Sequence, residues 1–300
     1  MPQATTQKHH ALLNIDLHTH STASDGRLTP AALATAAAEA GVECLALTDH
    51  DTVAGVAAAQ AQAREHGMQF VPGVEVSVSW EKRTLHIVGL GVDPHHTQLV
   101  AALAQLQHTR EQRARDMGER LEKAGLQDAY PRARGLAGEG QVTRGHFARL
   151  LVEDGLCGKF QQAFQRYLKP GKPGYVDVAW SSLEEAVATI QQAGGLAVLA
   201  HPMAYGMTGA WRRRTLTAFS EAGGDGVEVC CGNHNPSDTG VCTADALHYG
   251  LLGSVGSDFH GPHQRWLALG RPLRLPPGVP PVWQHPRLAR FLDAHQSGDE

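Results

Sequence analysis

The regular alternation of short apolar runs with capped, helix-like segments limits the fold of this chain more than any other feature. Runs of strand length fall around 12–17, 43–47, 70–76, 84–90, 196–200, 226–230 and 252–256, most of them separated by helix-like sequence. Between the first two, Leu28-Thr29-Pro30 opens an Ala-rich stretch that closes at Ala40-Gly41. A cap, a first-turn proline and a C-terminal glycine stand there in helical order. The alternation recurs over 53–66, over 183–193 before Gly194-Gly195, and over 213–222 before Gly223-Gly224. Strands separated by helices read as parallel neighbours joined by crossovers, because parallel strands cannot be joined by a tight turn. At Trp80-Glu81-Lys82-Arg83 two alternating runs instead approach closely enough for a hairpin, so the resulting α/β barrel is expected to be irregular.

From about 95 to 180 the strand signal disappears. The sequence there is charged and helical over 99–124, with Gly-rich and Pro-rich patches at 135–140 and 170–174. The expected organisation is a first barrel part over 1–94, a mainly helical insertion over 95–180 lying across the barrel mouth, and a second barrel part with a tail over 181–300. A short helix is expected at 286–295. With 300 residues, 42% of them hydrophobic, a barrel core and an insertion both fit ordinary domain sizes. No apolar run matches a signal peptide or a membrane span, so a cytoplasmic protein is expected. Cys44, Cys157, Cys230, Cys231 and Cys242 are scattered without C-x-x-C spacing, which points away from a disulfide framework and a thiolate zinc site. A net charge of -4 disfavours a chain that coats long nucleic acid and leaves a short anionic substrate open, since bound cations would add local positive charge. No feature calls for an obligate protein partner.

Histidines and carboxylates gather at the ends of these runs. In Asn14-Ile15-Asp16-Leu17-His18-Thr19-His20, a two-residue period puts Asp16, His18 and His20 on one face. The second run ends in Thr48-Asp49-His50-Asp51, the third carries Glu75, the fourth His86, the fifth ends in His201-Pro202, and the seventh in Ser257-Asp258-Phe259-His260. Strand ends are where parallel barrels assemble their sites. Each position alone reads as an ordinary core or strand histidine; their common location points to metal. The nitrogen and oxygen donor set suits Mn, Fe(II), Zn or Mg.

In Asp16-Leu17-His18-Thr19-His20-Ser21, Ser24-Asp25-Gly26, Thr48-Asp49-His50-Asp51, Pro72-Gly73-Val74-Glu75, Leu85-His86-Ile87, Ala200-His201-Pro202 and Gly256-Ser257-Asp258-Phe259-His260, the chain resembles the PHP (polymerase and histidinol phosphatase) family. The resemblance implies a distorted seven-stranded, TIM-like β/α barrel with three divalent metals, Mn first among them. His18, His20, Glu75 and Asp258 would hold the first metal. Glu75 would bridge to a second, completed by His86 and His201, and Asp25, His50 and His260 would hold the third. Within the family, the runs 73–80, 86–91, 143–149 and 167–175 resemble the branch of nucleoside 3',5'-bisphosphate phosphatases and 5'-to-3' exoribonucleases.

The expected reaction is hydrolysis of the 3'-phosphate of nucleoside 3',5'-bisphosphates, and 5'-to-3' trimming of short 5'-phosphorylated RNA, by a metal-bridging hydroxide that needs no Ser or Cys nucleophile. Glu75 and Asp258 would act through the metals. His234, after the sixth run, is either a proton donor or a solvated loop histidine. Arg144, His146 and Lys172 are candidate phosphate binders; otherwise Arg144 caps a helix and Lys172 sits on a solvated turn. Asp16 either orients a ligand histidine or is surface polarity at a strand edge. The basic stretch 110–123 reads as the wet face of a helix, and Trp211 as part of a helix entry rather than a base-stacking platform. A phosphatase of another small monoester, such as histidinol phosphate, and a non-catalytic metal-binding module stand as alternatives.

Overall fold

Each apolar run becomes a strand of one sheet in the computed structural model, which describes residues 14–232, 234–262 and 267–292. The chain runs β1 (Ile15–Asp16), α1 (Pro30–Glu39), β2 (Cys44–Leu47), α2 (Val56–Glu65), β3 (Gln69–Trp80) and β4 (Arg83–Leu90). The helical region follows as α3 (Thr97–Lys123), α4 (Ala129–Ala137), α5 (Arg144–Glu153), α6 (Phe160–Ala163) and a π-helical turn at Phe164–Leu168. The barrel resumes with α7 (Leu183–Gln192), β5 (Leu196–Leu199), α8 (Gly209–Glu221), β6 (Gly226–Cys231), α9 (Pro236–Tyr249) and β7 (Leu252–Gly256), and α10 (Pro286–Leu292) lies in the tail. Residues 12 and 13 of the first expected run, and 293–295 of the expected tail helix, lie outside the described residues.

The strands are ordered β1 to β7. Pairing is parallel except on the two sides of β4, which is antiparallel to both β3 and β5. The hairpin turns through Glu81 and Lys82, at φ 44° and 61°, the left-handed pair that matches strand twist in a two-residue turn. Edge strands β1 and β7 nearly close the barrel: Leu17 N donates to Val255 O at 3.1 Å and Asp258 N to His18 O at 2.9 Å. Leu17, Val74, Ile87, Leu199 and Val255 share one core with Val187 and Ile190 of α7 and Leu216 and Phe219 of α8. A second cluster seats Leu33 of α1 and Val56 of α2 against Leu45, Leu47 and Phe70.

Helix ends follow local chemistry. Thr29 Oγ1 accepts from Ala32 N before α1, and Ser182 with Glu185 forms a reciprocal box before α7. α9 has a box of Asn235 and Asp238, Pro236 in its first turn and a left-handed Gly250 after it. It was not expected from periodicity, because only Cys242 and Ala246 of this helix are buried and no apolar stripe marks it. Trp211 lies in the first turn of α8, with Arg83 and Arg214 stacked on its ring at 4.7 and 4.5 Å. It is a helix entry clamped by guanidiniums.

The helical region has its own apolar core, including Met117, Leu121, Phe147, Leu151 and Leu168. Leu99, Leu103 and Leu106 of α3 belong to the barrel core, so α3 spans both. Its middle is not a wet face. Arg110 Nε donates to Asp51 Oδ2 at 2.5 Å, Arg110 Nη2 to Ser77 Oγ at 2.6 Å, and Gln107 Nε2 to Asp51 O at 2.9 Å. Among the described residues, no helix is long and apolar enough to cross a membrane. Breaking a buried ion pair leaves an uncompensated charge at a cost of about 3–5 kcal/mol. Asp51→Ala is therefore expected to lose stability of that order in urea denaturation; a loss below about 1 kcal/mol would mean the pair behaves like a surface contact.

Candidate metal centre

β1 is only two residues long, yet the chain beyond it stays extended along the β7 end through a bridge between Thr19 and Phe259. That seam puts His18 and His20 beside Asp258 and His260. Asp16 fastens the seam: its Oδ1 accepts from Ser257 N at 2.8 Å and His18 N at 3.4 Å. It does not orient an imidazole. The carboxylate on His18 Nδ1 is Glu228, at 2.6 Å, which corrects the expectation for Asp16. The loop carrying Asp25 is folded around Asp49, which accepts from Ser21 N at 2.7 Å, Ser21 Oγ at 2.6 Å and Ser24 Oγ at 2.5 Å. Asp51, His201 and Asp258 adopt positive φ of 48°, 29° and 56°. Left-handed backbone is disfavoured for such residues, and this strain sits on or next to the donor positions.

All nine expected donors converge. His18 and His20 present their Nε2 atoms 3.0 Å apart, and Asp258 Oδ1 lies 3.5 and 3.2 Å from them. Glu75, with no exposure, is the hub. Its Oε1 is 3.5 Å from His18 Nε2, 3.0 Å from His86 Nδ1 and 2.9 Å from His201 Nε2. Its Oε2 is 3.4 Å from His20 Nε2 and 2.8 Å from His50 Nδ1. His260 Nδ1 donates to Asp258 O at 2.9 Å, which turns Nε2 towards Asp25 Oδ1 at 3.3 Å. The donor atoms fall into four overlapping groups: His18, His20 and Asp258; His18, Glu75 and His201; His50, Glu75 and His86; and His20, Asp25, His50 and His260.

These residues fit divalent cations. His20 Nδ1, Asp25 Oδ1, His50 Nδ1 and Glu75 Oε2 are buried without a hydrogen-bond partner. His50 Nδ1 and Glu75 Oε2 are close yet lack hydrogen-bond alignment, as expected of donors aimed at a common point. Buried polar atoms are otherwise nearly always satisfied. Burial opposes charge on every group here, and the neighbours outweigh it for Asp258, Glu75 and His18 but not for His20. His260, His18 and His201 hold Asp258 below the usual carboxylate range, and His50, His86 and His18 do the same for Glu75. His18 is raised well above its ordinary value against burial by Glu228, Glu75 and Asp258, whereas burial and His260 push His20 down to about 3.

A cavity of about 490 Å³ adjoins this cluster, and its lining includes Asp25, His50, His86 and His260. The same cavity is lined by Arg110, Arg113, Arg144 and His146 from the helical region, and by Trp180 and Phe164. Arg110 and Arg113 lie over the Trp180 ring at 5.1 and 5.6 Å, and Arg144 over Phe164 at 6.0 Å. Burial, with Arg144 and Arg110 beside it, pushes Arg113 down to about 9. Arg144 opens α5 after the Thr143 cap, and His146 Nδ1 accepts from Thr143 N at 3.0 Å, leaving Nε2 for the cavity. Lys172 is exposed on a turn and does not line the cavity. His234 lies against an irregularity in β6, its Nδ1 3.3 Å from Val229 O and 3.4 Å from Cys231 N, with Nε2 buried and unpartnered. Spacing did not single out Glu228, Arg110, Arg113 or Trp180. A lone carboxylate inside the apolar run Gly226–Cys231 was the available signal for Glu228.

The PHP domain model matches residues 16–181 of the chain. The chain belongs to the PHP domain family. This PHP protein is 45% identical over 269 residues to a 5'-3' exoribonuclease of Haemophilus influenzae, covering 90% of this chain and 97% of the relative. It is 45% identical over 274 residues to a 3',5'-nucleoside bisphosphate phosphatase of Chromobacterium violaceum, covering 91% and 96%. A solved structure of an amidohydrolase from Chromobacterium violaceum, with bound sulfate and no metal, superposes with a TM-score of 0.88 at 44% identity, over 94% of this chain and 99% of that one. A ligand that binds only the folded state stabilises it by about 2.7 kcal/mol at roughly 100 times its dissociation constant. Mn(II) or Zn(II) should accordingly raise the melting temperature of chelator-treated protein and do so far less in Glu75→Ala; an equal rise in both would place the cations elsewhere.

Proposed function

We propose that this PHP protein is a phosphoester hydrolase that removes the 3'-phosphate of nucleoside 3',5'-bisphosphates and trims short 5'-phosphorylated RNA from its 5' end. The observation that carries this reading is the basic, aromatic-lined cavity opening directly onto the donor cluster. A monoester phosphatase needs only the cluster; guanidiniums lining the same cavity suit a second phosphate on the same substrate. The 5'-3' exoribonuclease and the 3',5'-nucleoside bisphosphate phosphatase that the chain resembles over nine-tenths of its length support it.

His18, His20, Glu75 and Asp258 would hold one cation, Glu75, His86 and His201 a second, and Asp25, His50 and His260 a third, most simply Mn(II), with Zn, Fe or Mg as the other candidates. Cations bound there supply Lewis acidity and acidify water towards neutral pH. The chain's own part is placement. Arg144 and His146, with Arg110 and Arg113 in place of the exposed Lys172, hold the 5'-phosphate, and Asp51 and Ser77 fix the Arg110 fork. Trp180 and Phe164 offer apolar faces for the nucleoside. His234, expected as a proton donor, lies against Val229 and Cys231 and is not among the residues lining the cavity, so the proton to the leaving oxygen is left to water. The protein so proposed is cytoplasmic, with barrel parts at 1–94 and 181–300 and an insertion at 95–180.

The test compares phosphate release from adenosine 3',5'-bisphosphate, 3'-AMP and histidinol phosphate. A hydrogen bond to a charged group contributes about 1.5–3 kcal/mol, so Arg144→Ala should lower kcat/KM for the bisphosphate by about 10–100-fold and leave 3'-AMP nearly unchanged. Equal losses on both substrates, or preference for histidinol phosphate in the parent protein, would remove the nucleotide assignment.

A further inference from the structure

Glu228 is 1% exposed, in the middle of an otherwise apolar strand, and is not one of the converging donors. Its two oxygens serve two different ligand residues. Oε1 takes the Nδ1 hydrogen of His18 at 2.6 Å, which fixes the tautomer and leaves the Nε2 lone pair facing His20, Asp258 and Glu75. Oε2 accepts from the backbone amide of His201 at 2.5 Å. That amide belongs to a residue at φ 29°, whose disfavoured backbone needs an external restraint. With it held, His201 Nε2 stands 2.9 Å from Glu75 Oε1 and 3.4 Å from His86 Nδ1. The His18 and His201 rings consequently stack at 5.6 Å and 27°. Beyond Glu228 the ladder with β7 slips, so that Glu228 pairs with Ser254 but Cys230 with Val255. Such bulges re-aim side chains next to sites.

We infer that Glu228 is a positioning residue that sets the separation of the two cation centres sharing Glu75, acting through His18 on one and the His201 backbone on the other. The inference rests on the cluster being a cation centre. It does not depend on which phosphoester is cleaved. It requires both reach and two acceptor oxygens. A glutamine offers one acceptor oxygen and must set an amide group against one of the two donors. An aspartate keeps the charge but is one methylene too short to span both.

The experiment measures divalent cation content and affinity, with the visible spectrum of the Co(II)-loaded form, for the full chain and for Glu228→Gln and Glu228→Asp, each checked for folding by circular dichroism. Carboxylates behind metal-bound histidines are typically worth about 10–100-fold in affinity. Both variants are expected to bind cations at the two Glu75 centres that much more weakly, with an altered Co(II) spectrum, while the centre of Asp25, His50 and His260 retains its cation. Wild-type affinity and spectrum in both variants, or full restoration by aspartate, would overturn the positioning role. A parent protein that binds no divalent cation would instead overturn the underlying reading of the cluster, and the inference with it.

Discussion

A single carboxylate organises the molecule. Glu75 has no exposure, and five histidine nitrogens approach its two oxygens within 3.5 Å. An ionised carboxylate taken out of water costs several kcal/mol unless its surroundings return that energy. The barrel returns it by geometry. Glu75 of β3 is bridged to His50, in the chain just beyond the end of β2, while β4, running antiparallel, brings His86 back beside it. The antiparallel β4, an irregularity in an otherwise parallel sheet, is what lets a fourth strand contribute a donor to the same side. The strained backbone at Asp51, His201 and Asp258 is held there by hydrogen bonds and packing from elements that otherwise look unrelated.

The helical region extends this logic to the substrate side. Its apolar core is separate, but α3 enters the barrel core with its first turns and then buries Arg110 against Asp51. Asp51 follows His50 directly, so the anchor of the insertion and a donor of the cluster share one turn of chain. Arg110 of the cavity lining is thereby fixed relative to the donors, which is the placement the proposed function calls for. Gln141 Nε2 adds a second tie, donating to His50 O at 2.8 Å.

Much of this was legible in the sequence. Strand-length runs, the proline and glycine punctuation around α1 and the close spacing across Glu81-Lys82 give the barrel and its one hairpin, and the histidines at run ends give the donor cluster. What escaped did so for physical reasons. α9 buries too little to show a period, although its Asn235 and Asp238 box marks its start. Arg110 lies in a charged stretch whose neighbour Arg115 is over half exposed, and only tertiary packing distinguishes the two. Asp16 has the right strand parity to face an imidazole, but the β1–β7 seam takes its oxygen for backbone amides. Glu228 approaches His18 across 210 positions of sequence, a separation that local patterns do not encode.

The central claim is that Glu75 lies between cations rather than merely among histidines. Anomalous diffraction from crystals of the Mn(II)-loaded protein tests it directly. The account predicts peaks on either side of the Glu75 carboxylate, one against His18, His20 and Asp258 and the other against His86 and His201, with a further peak at Asp25, His50 and His260. A fully loaded protein with no peak touching Glu75, or with cations held only by exposed carboxylates, would contradict it.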